Sequence, residues 1–453
     1  MFRPQYTKRR MSEAFDKDAG LKPTATSHAI FGSVARMIPV KSLRARTTAL
    51  LGFFVAAMLA GSNARPATVA SADAKCPPFD QLVARVNSAP DARSKSKSVD
   101  GLISCVPPTG APLMEKGTKD GFGRAIFLYS GPATLVALAG DMNGWTPNEA
   151  FAPVSGTNLF FLSREYEMDA RLDYKFVLND KEWIFDPMNP RRMEGGVGAN
   201  STFAMPGYAP PPELVPGPSL RHGSIETFSF ASRILNNQRQ VKIYLPWGYR
   251  DSRERYKTLY VQDGLDYLNL GKINEIVDAM IDEKEIAPVV MVLVPPVDRN
   301  KEYLANADFA RAFATELVPA IDAKYRTKAD AGSRAVLGSS LGGLISIMLA
   351  GQYPQVFANC AGQSSAIFAD TDLDKLVSAP KDAVRFHLDV GTYETAIFKI
   401  NLLEGNRRLR DSLQSRGYTL DYTEVHEGHS WGNWPTRIPQ ALRFFWELPH
   451  KRK

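Results

Sequence analysis

The chain is poor in cysteine, in histidine and in long apolar runs. Its three cysteines allow at most one disulfide, and its six histidines leave few candidates for a catalytic base. The clearest apolar run, residues 49–60, has twelve residues and is too short for a permanent membrane helix. No cluster of metal ligands and no glycine-rich nucleotide loop is visible, so no metal and no cofactor is predicted.

The net charge of +7 is concentrated near the amino terminus. Residues 1–64 hold ten Lys/Arg and three Asp/Glu, which leaves 45 charges of each sign in the remainder. A neutral remainder argues against a nucleic-acid or membrane-surface partner.

The first 64 residues have the order of an export signal. Basic residues precede the apolar run at 49–60 and small residues follow it, with cleavage expected after Ala64 or, alternatively, after Ala72. The basic region is unusually long, which indicates that translation starts at Met37. We therefore predict a periplasmic or secreted protein with no stable membrane span after cleavage; an uncleaved amino-terminal anchor is the alternative.

The rest of the chain changes pattern three times. Residues 75–108 have too little apolar surface to fold alone, and in an oxidising compartment Cys76 and Cys105 are expected to form a disulfide that closes this helical segment. Short β-rich runs separated by turns then predict a small antiparallel sandwich, and later strands alternate with helices, which predicts a largely parallel sheet covered on both faces. The remaining segments are the sandwich (110–209), a stiff proline-rich linker (210–221) and the α/β domain (222–450).

A candidate nucleophile lies in the sequence Gly338-Ser-Ser340-Leu-Gly342. An apolar strand-like run enters this Gly-x-Ser-x-Gly turn and a helical run leaves it, as in a nucleophile elbow. Such a turn would expose the Ser340 hydroxyl above the sheet. It would also direct the N–H of Leu341 at the oxyanion of a tetrahedral intermediate.

A serine nucleophile needs a base and an acid. In the α/β-hydrolase order the base follows the serine, and His429 lies in a turn-rich loop before the last helix, with His426 as the alternative. The acid should follow a strand, and Glu394 lies just beyond the strand at 384–390. Asp389, within that strand, is the alternative acid. Glu394 could otherwise be a loop carboxylate exposed to solvent.

Other loops that follow strands supply candidates for the second oxyanion donor and for substrate contacts. Gly264 lets the backbone approach closely, so the N–H of Leu265 is the expected second donor. Arg299 and Glu302 would lie at the pocket rim and select polar or anionic groups, and Trp431 would help to wall the site.

Residues 222–450 resemble the esterase D and enterochelin-esterase-like hydrolases. The patterns that carry the resemblance are Asp298-Arg299-x-x-Glu302-Tyr303, Glu316-Leu-Val-Pro-x-Ile-Asp322, Gly338-x-Ser340-x-Gly342-Gly-Leu and Glu427-Gly-His429-x-Trp431. The resemblance implies an α/β-hydrolase fold and ester hydrolysis, including that of catecholate siderophore trilactones. Related enzymes of this kind include feruloyl, acetyl-xylan and S-formylglutathione esterases.

The sandwich resembles early-set, immunoglobulin-like domains of the glycogen-binding type. The resemblance rests on Gly140-Asp-Met-Asn-Gly-Trp145, Tyr174-Lys175-Phe, Trp183-x-x-Asp-Pro and Gly198-Ala-Asn200. It implies that Trp145 and Trp183 stack on sugar rings, while Lys175 and Asn200 bind hydroxyls. Many such domains keep these residues for folding alone.

Taken together, these patterns predict an exported serine esterase that cleaves a siderophore trilactone or a related polyphenolic ester. One alternative is a feruloyl or acetyl-xylan type of carbohydrate esterase that holds glycan on its sandwich. A non-catalytic carbohydrate-binding protein is a further alternative, disfavoured by the intact serine, histidine and acid. The expected partner is a small-molecule or glycan ester.

Overall fold

The structure, a computed structural model, describes residues 76–195, 198–215 and 217–449, all within a single unit. The predicted leader, its cleavage sites and the start at Met37 lie outside the described residues. Among the described helices, none is long and apolar enough to cross a membrane.

The first described elements are two short helices, α1 (Phe79–Ser88) and α2 (Ala92–Ile103), joined by the predicted disulfide between Cys76 and Cys105. Spacings of three and four residues place Phe79, Leu82 and Val86 on one face of α1, where they are buried against the next sheet. The disulfide closes a segment whose helices bury few residues of their own.

Two antiparallel sheets follow and pack face to face. Their orders are β1-β2-β6-β5 and β4-β3-β7-β10-β9, with β8 paired to β7. Alternate residues of β7 (Leu172, Tyr174, Phe176) point into a shared aromatic core with Phe127 of β2. The strands are β1 (Leu113–Lys116), β2 (Phe122–Ser130), β3 (Val136–Gly140), β4 (Glu149–Ala150), β5 (Ala152–Pro153), β6 (Leu159–Glu167), β7 (Arg171–Leu178), β8 (Glu182–Ile184), β9 (Arg192–Met193) and β10 (Asn200–Ala204).

The proline-rich segment after the sandwich is not a free, extended spacer. Pro212–Leu214 forms a 3₁₀ turn, and Leu214 packs against the core of the following domain. The carboxylate of Glu213 is buried in an ion pair with Arg443. The prediction of a stiff linker missed these contacts because composition does not report what a segment packs against.

The third sheet has eight strands in the order β11-β12-β14-β13-β15-β16-β17-β18. The first three strands are antiparallel neighbours, and from β14 onward every pairing is parallel, as the strand–helix alternation predicts. The strands are β11 (Ser224–Ser232), β12 (Asn237–Leu245), β13 (Lys257–Gln262), β14 (Val289–Val294), β15 (Arg334–Ser339), β16 (Asn359–Gln363), β17 (Arg385–Gly391) and β18 (Thr419–Val425).

Helices connect these strands and supply much of the core. They are α3 (Gly264–Asn269), α4 (Ile273–Asp282), α5 (Arg299–Tyr303), α6 (Ala307–Ala312), α7 (Val318–Lys324), α8 (Leu341–Gln352), α9 (Leu373–Leu376), α10 (Leu402–Ser415) and α11 (Trp434–Trp446). A π turn, Phe313–Leu317, lies between α6 and α7. Helix α8 is buried nearly all round beneath the sheet, and α11 packs with α4 on the opposite face.

This topology brings loops from distant parts of the chain to one edge. In a parallel sheet the carboxyl ends of the strands share an edge, and ligands bind there. Asp263 follows β13, Ser340 follows β15, Glu394 follows β17 and His429 follows β18. The fold therefore gathers the candidate catalytic residues on one side of the sheet.

Candidate active site

Ser340 occupies a strained turn between β15 and α8. Its φ of 57° and ψ of −123° lie outside the regions that L-residues favour. Two backbone bonds hold it there: its N–H donates to the Gln363 carbonyl at 2.9 Å, and its carbonyl accepts from Ala366 N–H at 2.9 Å. The side chain is only half-buried. This is the geometry of a nucleophile elbow.

The glycines of the elbow are required by close backbone approach. A Cβ on Gly338 would lie 2.3 Å from the carbonyl oxygen of Gly342, and a Cβ on Gly342 would lie 3.0 Å from a carboxylate oxygen of Asp263. The strand and the helix can therefore meet at this angle only where a side chain is missing.

His429 is paired with Glu394. Its Nδ1 lies 2.7 Å from Glu394 Oε2, and the Glu394 carboxylate is fully buried. The other carboxylate oxygen accepts from Gly391 N–H at 2.8 Å and from the Ser364 hydroxyl at 2.5 Å. These bonds orient the carboxylate, which in turn leaves Nε2 of the imidazole as the nitrogen free to exchange a proton. Glu394 is not a solvated loop carboxylate.

The alternative acid and base are engaged elsewhere. Asp389 bonds Arg437 at 2.8 Å and lies 3.5 Å from Nε2 of His387. His426 bonds Asp169 of the sandwich at 2.7 Å. The structure therefore brings together the preferred pair, His429 and Glu394.

Both predicted oxyanion donors lie at the starts of helices. Leu341 is the first residue of α8 and Leu265 the second of α3, so neither N–H has an acceptor within its own helix. Gly264 is needed beside Leu265 because a Cβ there would lie 2.2 Å from the Leu293 carbonyl carbon. Both N–H groups thus remain available at the edge of the sheet that carries Ser340.

Arg299 lies beside the elbow. Its guanidinium makes two bonds to the Asp263 carboxylate, at 2.9 and 2.8 Å, and Nη2 lies 3.5 Å from the Ser339 carbonyl. About a third of the side chain is exposed (36%). Asp263 balances its charge, so Arg299 would offer a substrate hydrogen bonds more than net positive charge.

Glu302 and Trp431 are not at the pocket wall, contrary to the sequence prediction. Both oxygens of Glu302 bond Arg239, at 2.8 and 2.9 Å, and the residue is 5% exposed. Trp431 is 8% exposed and packs edge-on between Tyr267 and Trp434. Each residue supports the fold around the site.

A buried ionic cluster beneath His429 was missed by the sequence reasoning. Arg437 bonds Asp389 at 2.8 Å, Glu427 at 2.8 Å and the Ser364 hydroxyl at 3.2 Å. Burial alone would lower the pKa of Arg437, but Glu427 and Asp389 outweigh it and raise that pKa. A sequence signal existed, since Arg437 lies three residues after Trp434, on the apolar face of α11.

Of the four residues predicted to bind glycan, Lys175, Trp183 and Asn200 lie on strands of the second sheet of the sandwich, and Trp145 lies in the turn after β3. Trp183 of β8 is 45% exposed. Lys175 of β7 lies over the Phe185 ring, and burial lowers its pKa, while Asn200 begins the neighbouring strand β10. Trp145 is half-buried, and its indole N–H donates to Asp141 at 3.2 Å.

Within residues 76–195, 198–215 and 217–449, no three His, Cys, Asp or Glu side chains are grouped so that they could hold a metal ion.

Residues 232–445 match the sequence model of a protein family described as putative esterase. The iron(III) enterobactin esterase of Escherichia coli O6:H1 is 26% identical over 68% of this chain and 78% of that protein. An endo-1,4-beta-xylanase/feruloyl esterase of Xylanibacter ruminicola is 24% identical over 49% of this chain and 32% of that protein.

Among solved structures, the ferric enterobactin esterase of Salmonella typhimurium superposes with a TM-score of 0.63 at 22% identity. The match covers 75% of this chain and 96% of that one. At this identity the superposition establishes the fold alone. The eight-stranded sheet and its helices therefore have the α/β-hydrolase arrangement.

Proposed function

Because this chain is an enterochelin-esterase-like serine hydrolase, and so a carboxylic ester hydrolase, we propose that it cleaves a siderophore trilactone or a related polyphenolic ester with Ser340, His429 and Glu394 as its triad. The observation that carries the triad is the 2.7 Å contact between His429 Nδ1 and the fully buried Glu394 carboxylate, on the sheet edge where the Ser340 elbow lies. In this triad Ser340 is the nucleophile, His429 is the base and Glu394 is the acid.

The proposed reaction is a two-step acyl transfer. His429 Nε2 removes the Ser340 proton as Oγ attacks the ester carbonyl, and the N–H groups of Leu265 and Leu341 hold the oxyanion. The imidazolium, stabilised by Glu394, returns the proton to the leaving alcohol, and an acyl-serine remains. Water, deprotonated by the same imidazole, attacks the acyl carbon. The acid then leaves and Ser340 regains its proton.

The extent of the sequence similarity favours the siderophore ester over the glycan ester. Residues 222–450 make up about half of the chain, yet the Escherichia coli enterobactin esterase aligns with 68% of it. That similarity must extend beyond the hydrolase region, whereas the similarity to the feruloyl esterase covers 49% of the chain. The similarity of this chain to the enterobactin esterase therefore involves both halves of the chain. This favours an ester of the kind that the enterobactin esterase cleaves over a feruloyl ester.

The test begins with p-nitrophenyl acetate and the purified mature protein. We expect turnover by the wild type and a loss of about 10⁴- to 10⁶-fold in kcat for Ser340→Ala. Ser339→Ala, next to it in the chain, is the control, and we expect it to keep most of the activity. No turnover by the wild type, or full activity in Ser340→Ala, would refute the proposal.

A substrate comparison then tests the ester class. Ferric and iron-free catecholate trilactones should be hydrolysed with a higher kcat/KM than feruloyl or acetyl xylan. A clear preference for the xylan esters would instead establish the second candidate.

That second candidate, a carbohydrate esterase, is favoured by one observation. Trp183 is 45% exposed on β8, which pairs with the β7 strand that carries Lys175, and an exposed indole suits stacking on a sugar ring. Retention on insoluble glucan or xylan that Trp183→Ala abolishes would support it. Equal elution of wild type and variant would argue against glycan binding.

We further propose how the chain divides into an export leader and two domains. Residues 110–209 would be an early-set, immunoglobulin-like domain, residues 222–450 the hydrolase domain, and residues 1–64 an export leader that is removed. Amino-terminal sequencing of the protein from cell fractions tests the leader. A first residue at 65 or 73 in the periplasm or medium supports export, and an intact amino terminus inside the cell contradicts it.

A further inference from the structure

The loop that carries His429 is attached to the sandwich by its main chain. The N–H of Arg171, at the start of β7, donates to the carbonyl of His426 at 3.1 Å, and Arg171 pairs with Glu427 in a single parallel bridge. These contacts join the sandwich to the hydrolase sheet where β18 ends. The loop 426–433 begins at that junction.

The side chain of Arg171 reaches the far end of the same loop. Its Nη1 donates to the Asn433 side-chain oxygen at 2.6 Å, and Asn433 Nδ2 donates to the Gly428 carbonyl at 2.9 Å. Arg171 is 5% exposed and Asn433 is fully buried, so water competes little for these bonds. Asp173, 3.2 Å from Nη2, balances the charge of the guanidinium.

Two glycines allow the sandwich side chains to lie against the loop. A Cβ on Gly428 would lie 2.0 Å from the carboxyl carbon of Asp141, and a Cβ on Gly432 would lie 2.1 Å from Nη2 of Arg171. The two glycines flank His429 in the chain. The loop is therefore in contact with sandwich side chains on both sides of the imidazole.

From this geometry we infer that Arg171 is a positioning residue for His429, so that the sandwich is part of the catalytic unit as well as a neighbour of it. The inference deepens the proposed function, because it takes His429 as the base. Arg171 does not touch the reacting atoms. It acts through Asn433 and the Gly428 carbonyl, and a displacement of the imidazole by about 1 Å would cost on the order of 10²-fold in rate.

Arg171→Lys is the sharpest variant. Lysine keeps the positive charge beside the buried Asp173, but a single ammonium cannot reproduce the fork that bonds Asn433 through Nη1 and faces Asp173 through Nη2. Arg164→Lys is the matched control, because Arg164 lies on β6 and pairs with Glu149 within the sandwich. With p-nitrophenyl acetate we expect Arg171→Lys to lower kcat about 10- to 100-fold with KM nearly unchanged. The control should keep both values.

A double-mutant cycle with Asn433→Ala tests the route of the effect. If Arg171 acts through Asn433, the double variant should have nearly the same kcat as Asn433→Ala alone. Additive losses would overturn that route.

Amide hydrogen exchange tests the positioning without any substrate. In Arg171→Lys the peptide spanning 426–433 should exchange at least about 10-fold faster, while the elbow peptide spanning 334–352 should not change. If the wild type hydrolyses no ester but this exchange pattern holds, the proposed function fails and the attachment of the loop stands. Unchanged exchange at 426–433 overturns the inference, as does faster exchange in both peptides, which would show a general loss of stability. If Arg171→Lys does not fold, Asn433→Ala is measured in the same way.

Discussion

The proposed nucleophile and the proposed base of this site are held by different kinds of contact. Ser340 is held within the hydrolase half by two backbone bonds, to Gln363 and Ala366, and Gly338 lies against the backbone of Gly342. The loop that carries His429 is contacted by side chains of the sandwich, with Arg171 at Asn433 and Asp141 at Gly428. The contacts of one side stay within the hydrolase half, whereas those of the other side join residues as far as 262 positions apart.

This difference has a physical consequence. A backbone–backbone contact in the elbow cannot relax when it is crowded, because no flexible group lies on either side. The contacts behind His429 end in side chains, which can be removed or replaced. We therefore expect that the loss of activity caused by a substitution on the nucleophile side cannot be reversed by a second substitution. On the histidine side, a second substitution that removes the crowded side chain should restore part of the activity.

After the loss of Ser340 itself, the largest effect we expect comes from the candidate acid. Glu394→Gln keeps the size of the side chain, but its amide group can no longer hold the proton on Nδ1 of His429, so Nε2 is protonated and cannot act as base. We expect kcat to fall by about 10³- to 10⁴-fold with little change in Tm. Glu424→Gln on β18, which removes an ion pair with Arg407 of α10, is the control. More than half of the wild-type activity in Glu394→Gln would show that the histidine side does not depend on this carboxylate.

The second effect concerns the elbow. Gly338→Ala places a Cβ 2.3 Å from the Gly342 carbonyl oxygen, so strand and helix must separate. We expect kcat/KM to fall by more than about 100-fold, and the free energy of unfolding by about 4 kcal/mol, as for severe overpacking. Kinetics and urea unfolding measure the two losses. A fully active and stable variant would mean that the elbow has more freedom than the histidine side, which reverses the comparison.

The sequence predicted the nucleophile side better than the histidine side for the same physical reason. The elbow, β15 and the helix after it are short-range features, visible in one stretch of chain. Strand β16, with the sequence Asn-Cys-Ala-Gly-Gln, lacks β-branched residues and was not anticipated. The burial of Glu302 depends on Arg239, 63 positions earlier, which no local pattern could indicate.

His429 and Glu394 were nevertheless predicted as a pair, because the chain order of α/β hydrolases puts the base after the serine and the acid after a strand. The contacts that hold them were not found. Arg171 and Asn433 lie in different halves, and a sequence alone does not show that a sandwich arginine meets a hydrolase loop.

The third effect tests repair on the histidine side. Gly428→Ala would press a Cβ against the Asp141 carboxyl group, and we expect kcat to fall about 10-fold as His429 shifts. Asp141→Gly in the same chain removes that carboxyl group, so we expect part of the activity to return. The matched comparison is Gly338→Ala with Ser346→Gly on α8, where the contact is backbone and no recovery is expected. Equal recovery in both pairs, or in neither, would remove the distinction between the two sides.

The smallest effect concerns His387, which lies beneath the histidine side. Its Nδ1 is 2.8 Å from Asp421, and its Nε2 is 3.5 Å from Asp389, which also binds Arg437. Burial alone would lower the pKa of His387, but hydrogen bonds to Asp389 and Asp421 outweigh it and raise the pKa to about 9. The folded state therefore holds this proton more tightly than the unfolded chain, where the pKa is about 6.5.

The sign of the pH dependence follows from that difference. The contribution to stability is fully present below about pH 6.5 and is lost as the pH rises through about 9, by at most about 3 kcal/mol. Urea unfolding at pH 6 and pH 9 should show this fall in the wild type and a smaller fall in His387→Gln. His222→Gln, which removes a histidine with a 61% exposed side chain, should behave as the wild type.

Because the Asp389–Arg437 pair supports the His429 loop, we also expect the peptide at 426–433 to lose exchange protection before the elbow does as the pH rises, once intrinsic rates are corrected. The opposite order would place the pH-sensitive contact on the nucleophile side and contradict the division of the site proposed for this protein.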